Sequence, residues 1–161
     1  LYDFIYAHFD IGVGVCDHKT IDKINILEAT HLAMKKAVTE LASNIRHGAP
    51  RIGKGCLVRD TKHIILVDGN KKIPNLSIEQ RTIVGGDNLV KTISAASIIA
   101  KVFRDRMMRQ AHERYPYYYF NKHKGYGTRK HLEMLDKFGP CEIHRKTFFP
   151  VKNWTNRDKE C

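Results

Sequence analysis

At 161 residues with 42% hydrophobic residues, the chain is long enough to bury a core of its own, and none of its apolar runs approaches the ~20 residues of a membrane span. Its 28 Lys and Arg against 17 Asp and Glu leave a formal net charge of +11, which favours a polyanionic partner, nucleic acid above all, although charge alone leaves a basic protein without such a partner equally open. Cys16, Cys56, Cys141 and Cys161 fall outside metal-ligand spacing, no histidines form an H-E-x-x-H pair and the N-terminus has no signal-peptide pattern, so reduced thiols and a cytoplasmic location are expected.

In chain order, His8–Cys16 (HFDIGVGVC) alternates small and apolar residues and predicts a strand. Thr20 is placed to cap a helix whose apolar stripe is Ile24, Leu27, Met34, Val38 and Leu41, with Gly48 and Pro50 ending it. Arg46–Gly55 reads as a basic, glycine-rich loop. In His63–Asn70 (HIILVDGN) four apolar residues run straight into Asp68, a short buried-type strand closed by a Gly69-Asn70 turn. Thr82–Val84 predicts a second short strand, closed by Gly85-Gly86-Asp87. A helix of about four turns follows over Ile93–Arg106 (ISAASIIAKVFRDR), running on towards Tyr115 before Pro116. Arg114–Thr128 is a loop dense in aromatics and bases. Thr128 then caps a last helix through Phe138, with Leu132 and Leu135 inward, and Gly139-Pro140 ends it. Lys152–Cys161 reads as a polar, loose tail. Strands interleaved with helices predict an α/β fold in one domain over residues 1–151.

Two acids stand out. Asp105 sits among Lys101, Arg104 and Arg106, on the side of its helix that carries Ile98 and Val102. It is either an ion-pair partner of Lys101, worth only a few tenths of a kcal/mol, or a metal ligand. Asp68 lies at the carboxyl end of an apolar strand, where open α/β sheets place their ligands; its other reading is turn chemistry with Gly69 and Asn70. Two carboxylates at a sheet end suit a hard cation such as Mg²⁺ or Mn²⁺. A strongly basic protein with such a site suggests phosphodiester cleavage, in which the metal generates hydroxide and stabilises the leaving oxygen.

The segments ILVDGN, GGDNLVKTISAASIIAKVFRDR, RYPYYYFNKHKGYGTRKHLEML and FGPCEIHRKTFFPV, preceded by GVGVCDHKTIDKINILEATHLAMKKAV, occur in one order over 12–151. Together they resemble bacterial ribonuclease HII, a family that cuts the RNA part of RNA–DNA hybrids and nicks at ribonucleotides embedded in DNA. The resemblance implies a ribonuclease H-like mixed sheet with flanking helices and Mn²⁺- or Mg²⁺-dependent hydrolysis. It implies hybrid duplexes and ribonucleotide-containing DNA as partners, with no membrane and no obligate protein partner. It casts Asp68 and Asp105 as catalytic metal ligands. Tyr126, in Lys124-Gly125-Tyr126-Gly127-Thr128, takes the place of the family tyrosine that packs on the sugar beside the cleavage junction, as a flat ring can without reading sequence. Lys124, Lys101, His144 and Arg145 become candidate substrate contacts, with His144 also open to a purely structural role. Tyr117 and Tyr119 stand where the family often has glycine, and Gly85 where lysine is common.

The family's N-terminal strand with adjacent Asp and Glu and its glycine–arginine–glycine turn have no counterpart: no D-E-A-G-R-G occurs here, and Leu1 aligns beyond that region. Two divalent ions about 4 Å apart repel by roughly 16 kcal/mol at an effective dielectric near 20. Two carboxylates offset that poorly, so weak, single-site metal binding and little cleavage by this chain alone are expected. A non-catalytic hybrid-binding module or an inactive fragment are the alternatives.

Overall fold

A computed structural model describes residues 1–46 and 63–157. These divide into two units, one of Leu1–Cys16 and Leu27–Ala100, the other of Asp17–Ile26 and Lys101–Cys161. The basic glycine-rich loop (but for Arg46), the helix end at Gly48 and Pro50, and both Cys56 and Cys161 lie outside the described residues.

The first unit opens with α1 (Tyr2–His8) and contains the later part of α2 (His18–Arg46). The expected strand over His8–Cys16 is not formed. His8 ends α1, and the stretch after it runs to α2 without a strand partner among the described residues. Its alternating glycines serve a different neighbour. A Cβ on Gly12 would collide with the Ala37 carbonyl, and one on Gly14 with that of Ala33, so the segment lies directly on the α2 backbone. The Val13 N–H donates to Glu40 Oε2 at 2.6 Å, and Lys36 Nζ donates to the Val15 carbonyl at 2.9 Å. Helix side chains thus satisfy backbone groups that a neighbouring strand would otherwise take.

Helix α2 departs from expectation twice. Its N-terminal cap is Asp17, whose Oδ1 accepts the Thr20 N–H at 2.8 Å, rather than Thr20 itself. It also breaks at Asn25, where φ is 67° and ψ 169°, next to the boundary between the units. The apolar stripe does not carry across that break: Leu27 is 40% exposed, while Ala29 is buried.

Strands β1 (Ile64–Asp68) and β2 (Glu79–Ile83) pair in parallel, Ile64 opposite Glu79 and Asp68 opposite Ile83, and the Gly69 N–H extends the ladder to the Ile83 carbonyl at 2.9 Å. Here β2 lies earlier than the expected Thr82–Val84, and Val84 is exposed. The crossover over 69–78 has no helix. The Gln80 side chain holds it instead, accepting the Ile73 N–H at 2.8 Å and donating to the Ile73 carbonyl at 3.0 Å, with Ile73 buried. Short α3 (Gly86–Leu89) follows, then α4 (Lys91–Arg114), whose first part, with Ile93 and Ile99 buried, belongs to this unit. The expected α/β class is present, as a parallel strand pair among helices.

The second unit takes the rest of α4, a 3₁₀ turn (Pro116–Tyr118), α5 (Phe120–His123), α6 (Arg129–Phe138) and α7 (Val151–Arg157). Thr128 caps α6 as expected, its hydroxyl accepting the His131 N–H at 3.4 Å, and Gly139 ends it at a φ of 70°. Leu135 is buried, but Leu132 is exposed and His131 takes the inward position. Helix α7 replaces the first part of the expected loose tail, residues 158–161 lying outside the described ones, because Val151 packs into a core of Tyr118, Phe120 and Leu135. Across 124 residues of sequence, Asp22 joins this unit's two parts: its carboxylate accepts the N–H groups of Lys146 (2.8 Å) and Thr147 (3.0 Å) and the Thr147 hydroxyl (2.6 Å). Among the described residues, no helix is long and apolar enough to cross a membrane.

Candidate functional site

Asp68 is the last residue of β1 and is exposed. Its Oδ1 accepts the Gly86 N–H at 2.8 Å. A Cβ there would stand 2.6 Å from Ile93 Cδ1, so a larger residue would have to displace the end of that side chain. The preceding Gly85, at a φ of 66°, turns the chain out of β2 into α3. The next residue after the anchoring amide is Asp87, also exposed, whose Oδ1 accepts from Asn88 Nδ2 at 3.1 Å and whose carbonyl accepts from the Ser94 hydroxyl. The sequence reading took Asp87 only as part of a turn. The signal that finds it is the parallel pairing: two strands that run the same way end at the same edge, so acids following each end converge.

Asp105 is half-buried on the second-unit part of α4, and among the described residues no ion pair joins it to the exposed Lys101. Asp68 and Asp87 offer only carboxylate oxygens, the hard donors that Mg²⁺ and Mn²⁺ prefer. Among the described residues, no three His, Cys, Asp or Glu side chains gather to hold an ion. The donors therefore fit a hard cation in kind and fall short of a complete site in number.

The second unit carries a separate constellation around Tyr126, which is 60% exposed. The Arg104 guanidinium lies 4.2 Å from the Tyr126 ring centroid, and its Nη1 donates to the phenolic oxygen at 2.5 Å. Its Nη2 donates to the Lys124 carbonyl at 2.9 Å. Lys124 itself adopts a left-handed φ of 51° and ties its ammonium to the Asn121 carbonyl. Arg145 stacks on Phe148, 3.6 Å from the ring centroid. Burial lowers its guanidinium pKa, the nearby Arg104 charge adds to that effect, and Asp22 opposes it. Two guanidinium groups close enough to repel each other beside an exposed tyrosine make a face suited to a phosphate backbone.

His144, expected at the substrate, is instead 8% exposed, and both its ring nitrogens are occupied by protein partners. The network around it is directional. The Cys141 N–H donates to His144 Nδ1 at 3.0 Å, which leaves the proton on Nε2 to be donated to His131 Nε2 at 3.1 Å. His131 Nδ1–H then donates to the Tyr126 carbonyl at 2.9 Å. Beside it, 4.3 Å away between centroids, the stacked His123 accepts the Gly125 N–H at 3.2 Å and donates to the Tyr118 carbonyl at 2.6 Å. Each ring needs one unprotonated nitrogen, so the set is neutral. Sequence periodicity missed this because histidine is no marker of a core.

Burial lowers the pKa of His123 and His131, and burial followed by the neighbouring His131 brings His144 to about 4. Their folded values lie below the ordinary 6.5, so their stabilisation is complete above that pH and is lost as pH falls towards 4. We expect the unfolding free energy read from urea denaturation to drop over that window, by about 2 kcal/mol from His144 after allowing for solvent screening. A midpoint level down to about pH 4.5 would contradict the neutral network.

A sequence model of the family described as Ribonuclease HII matches residues 10–155. Ribonuclease HII of Endomicrobium trichonymphae is 45% identical over 150 residues, covering 93% of this chain and 63% of that protein. The Ribonuclease HII of Parvibaculum lavamentivorans is 46% identical over 143 residues, 89% of this chain and 47% of its own length. That of Geotalea uraniireducens is 45% identical over 160 residues, 99% of this chain and 66% of its own length. The chain thus spans from 47% to 66% of the length of these curated relatives. With a family match over nearly its whole length, the chain belongs to the ribonuclease HII family.

Proposed function

We propose that this chain carries part of the machinery of a divalent-metal endoribonuclease that hydrolyses the RNA strand of RNA–DNA hybrids and nicks at ribonucleotides embedded in duplex DNA. The observation that supports this reading is the seating of Asp68, at the end of the parallel strand pair, on the Gly86 amide next in sequence to Asp87. Asp68 and Asp87 would hold a Mn²⁺ or Mg²⁺ ion, and Asp105 is a candidate metal ligand by resemblance alone. When bound, such a cation makes a water nucleophilic near neutral pH and stabilises the departing oxygen. The Gly86 amide fixes the Asp68 carboxylate, which costs less reorganisation than a free side chain. Tyr126 offers a flat face to a sugar, and Arg145, Lys124 and Lys101 supply positive charge along the backbone.

The test uses a hybrid duplex, a DNA duplex with one internal ribonucleotide, and an all-DNA duplex of the same sequence, each with and without Mn²⁺. Salt-sensitive binding with Mn²⁺-dependent nicking at the ribonucleotide is the expected result, slower than that of a longer relative. Binding without any nicking selects a hybrid-binding module instead. No preference for either ribonucleotide-containing duplex over all-DNA sinks the reading.

A further inference from the structure

We propose that Arg104 is a positioning residue for Tyr126, backing one face of the ring so that the other is presented to a sugar of the bound duplex. The inference rests on the hybrid-binding reading and deepens it. Three contacts converge on one guanidinium: a stacked ring at 4.2 Å, a phenolic oxygen at 2.5 Å and the Lys124 carbonyl at 2.9 Å. Between the last two lies Gly125, at a φ of 79°; its N–H donates to His123 Nδ1 at 3.2 Å and the Tyr126 N–H to the His123 carbonyl at 2.9 Å, contacts that hold the backbone of the turn and leave the ring untouched. A side chain there would also meet Met108, whose Cε stands 3.3 Å from an added Cβ.

The ring is therefore steadied from outside its own loop. The His131 network holds the Tyr126 carbonyl, which fixes the backbone and leaves the side chain to rotate. Arg104 acts on the side chain itself: stacking fixes the plane of the ring, and the bond to the hydroxyl fixes its direction. Only a planar fork can do both while reaching a carbonyl two residues away, so lysine is no substitute although it keeps the charge. Arg104 also projects from the helix turn that carries Asp105, which ties the Tyr126 loop to α4.

The test labels the full chain with 3-fluorotyrosine, assigns the Tyr126 resonance by its absence from Tyr126→Phe, and measures hybrid binding by anisotropy over a salt series. In Arg104→Lys and Arg104→Ala the resonance should shift and broaden. Arg104→Lys should bind roughly tenfold more weakly with the salt slope unchanged, because the stack and the fork are lost while the charge remains. Adding Arg104→Lys to Tyr126→Ala should weaken binding no further. An unmoved resonance, wild-type affinity in Arg104→Lys, or losses that simply add would each overturn the proposal. If the unsubstituted chain fails to bind hybrid while the resonance still responds to Arg104, the hybrid reading fails and the sugar-facing role falls with it.

Discussion

Replacing Phe120 by Ala should cost about 3–5 kcal/mol of folding stability, a large part of the total for a domain of this size. Phe120 is 2% exposed, and its ring meets four others: Tyr118 stacked at 5.5 Å, His144 at 5.6 Å, His131 edge-on at 5.7 Å and His123 edge-on at 5.9 Å. Truncation removes the transfer energy of a buried aromatic and leaves a void that rigid rings cannot collapse to fill. It also opens a path for water to the neutral histidines, which brings their pKa values back towards the ordinary one, so the difference from the unsubstituted chain should shrink as pH falls below about 6.5. Phe120→Leu, closer in volume, should cost much less. Urea unfolding of the three proteins is the measurement. A loss under about 1 kcal/mol for the alanine variant would show that this ring cluster is not the core of the second unit.

Asp68→Asn should weaken Mn²⁺ binding at least tenfold while leaving the fold in place. Asparagine is isosteric, and its Oδ1 can still accept the Gly86 N–H, so the β1–α3 junction keeps its 2.8 Å hydrogen bond. What is lost is the negative charge. Changing an outer-shell partner of a metal ligand already costs about 10–100-fold in affinity, and removing the charge of a ligand itself should cost at least that. Calorimetric titration of Mn²⁺ in the presence of hybrid reads the affinity, and ribonucleotide nicking reads the consequence. Asp87→Asn should weaken both in the same direction. Asp105→Asn discriminates the roles of the three acids: an equal loss makes it a ligand, and an unchanged affinity leaves the site to the acids at the strand ends. Unaltered Mn²⁺ affinity in Asp68→Asn would remove the central element of the proposed function.

The parts of the fold legible in the sequence are those decided locally. Ile64–Val67 ran without interruption into Asp68, and a run that short and apolar, closed by a glycine, has few options besides a strand. Lys91–Arg114 and the Thr128 cap were legible for the same reason, since capping and helix propensity act over a few residues. What escaped was decided at a distance. The alternation around Gly12 and Gly14 looks the same whether a strand or a helix backbone is the neighbour, and only the approach of Ala33 and Ala37 settles it. The break at Asn25 interrupts no pattern of side chains and shows only in the backbone. Asp87 entered the candidate site because β2 lies parallel to β1, a fact of pairing that no window of residues contains. The sequence reading of His144 rests on the I-H-R motif alone, whereas its surroundings keep it neutral and hidden.

The clamp at Asp22 has a consequence for the order of assembly. The second unit is discontinuous in sequence: residues 17–26 belong with 101–161, and the chain between them builds most of the first unit. On a ribosome, Asp22 emerges long before Lys146 and Thr147 exist, and the closure entropy of so long a loop must be met before the three hydrogen bonds can form. The first unit can gather its strands and helices during synthesis, whereas the second is sealed only once Lys146 and Thr147 have emerged. Its first ten residues wait for the segment around Lys146 and Thr147 that locks them.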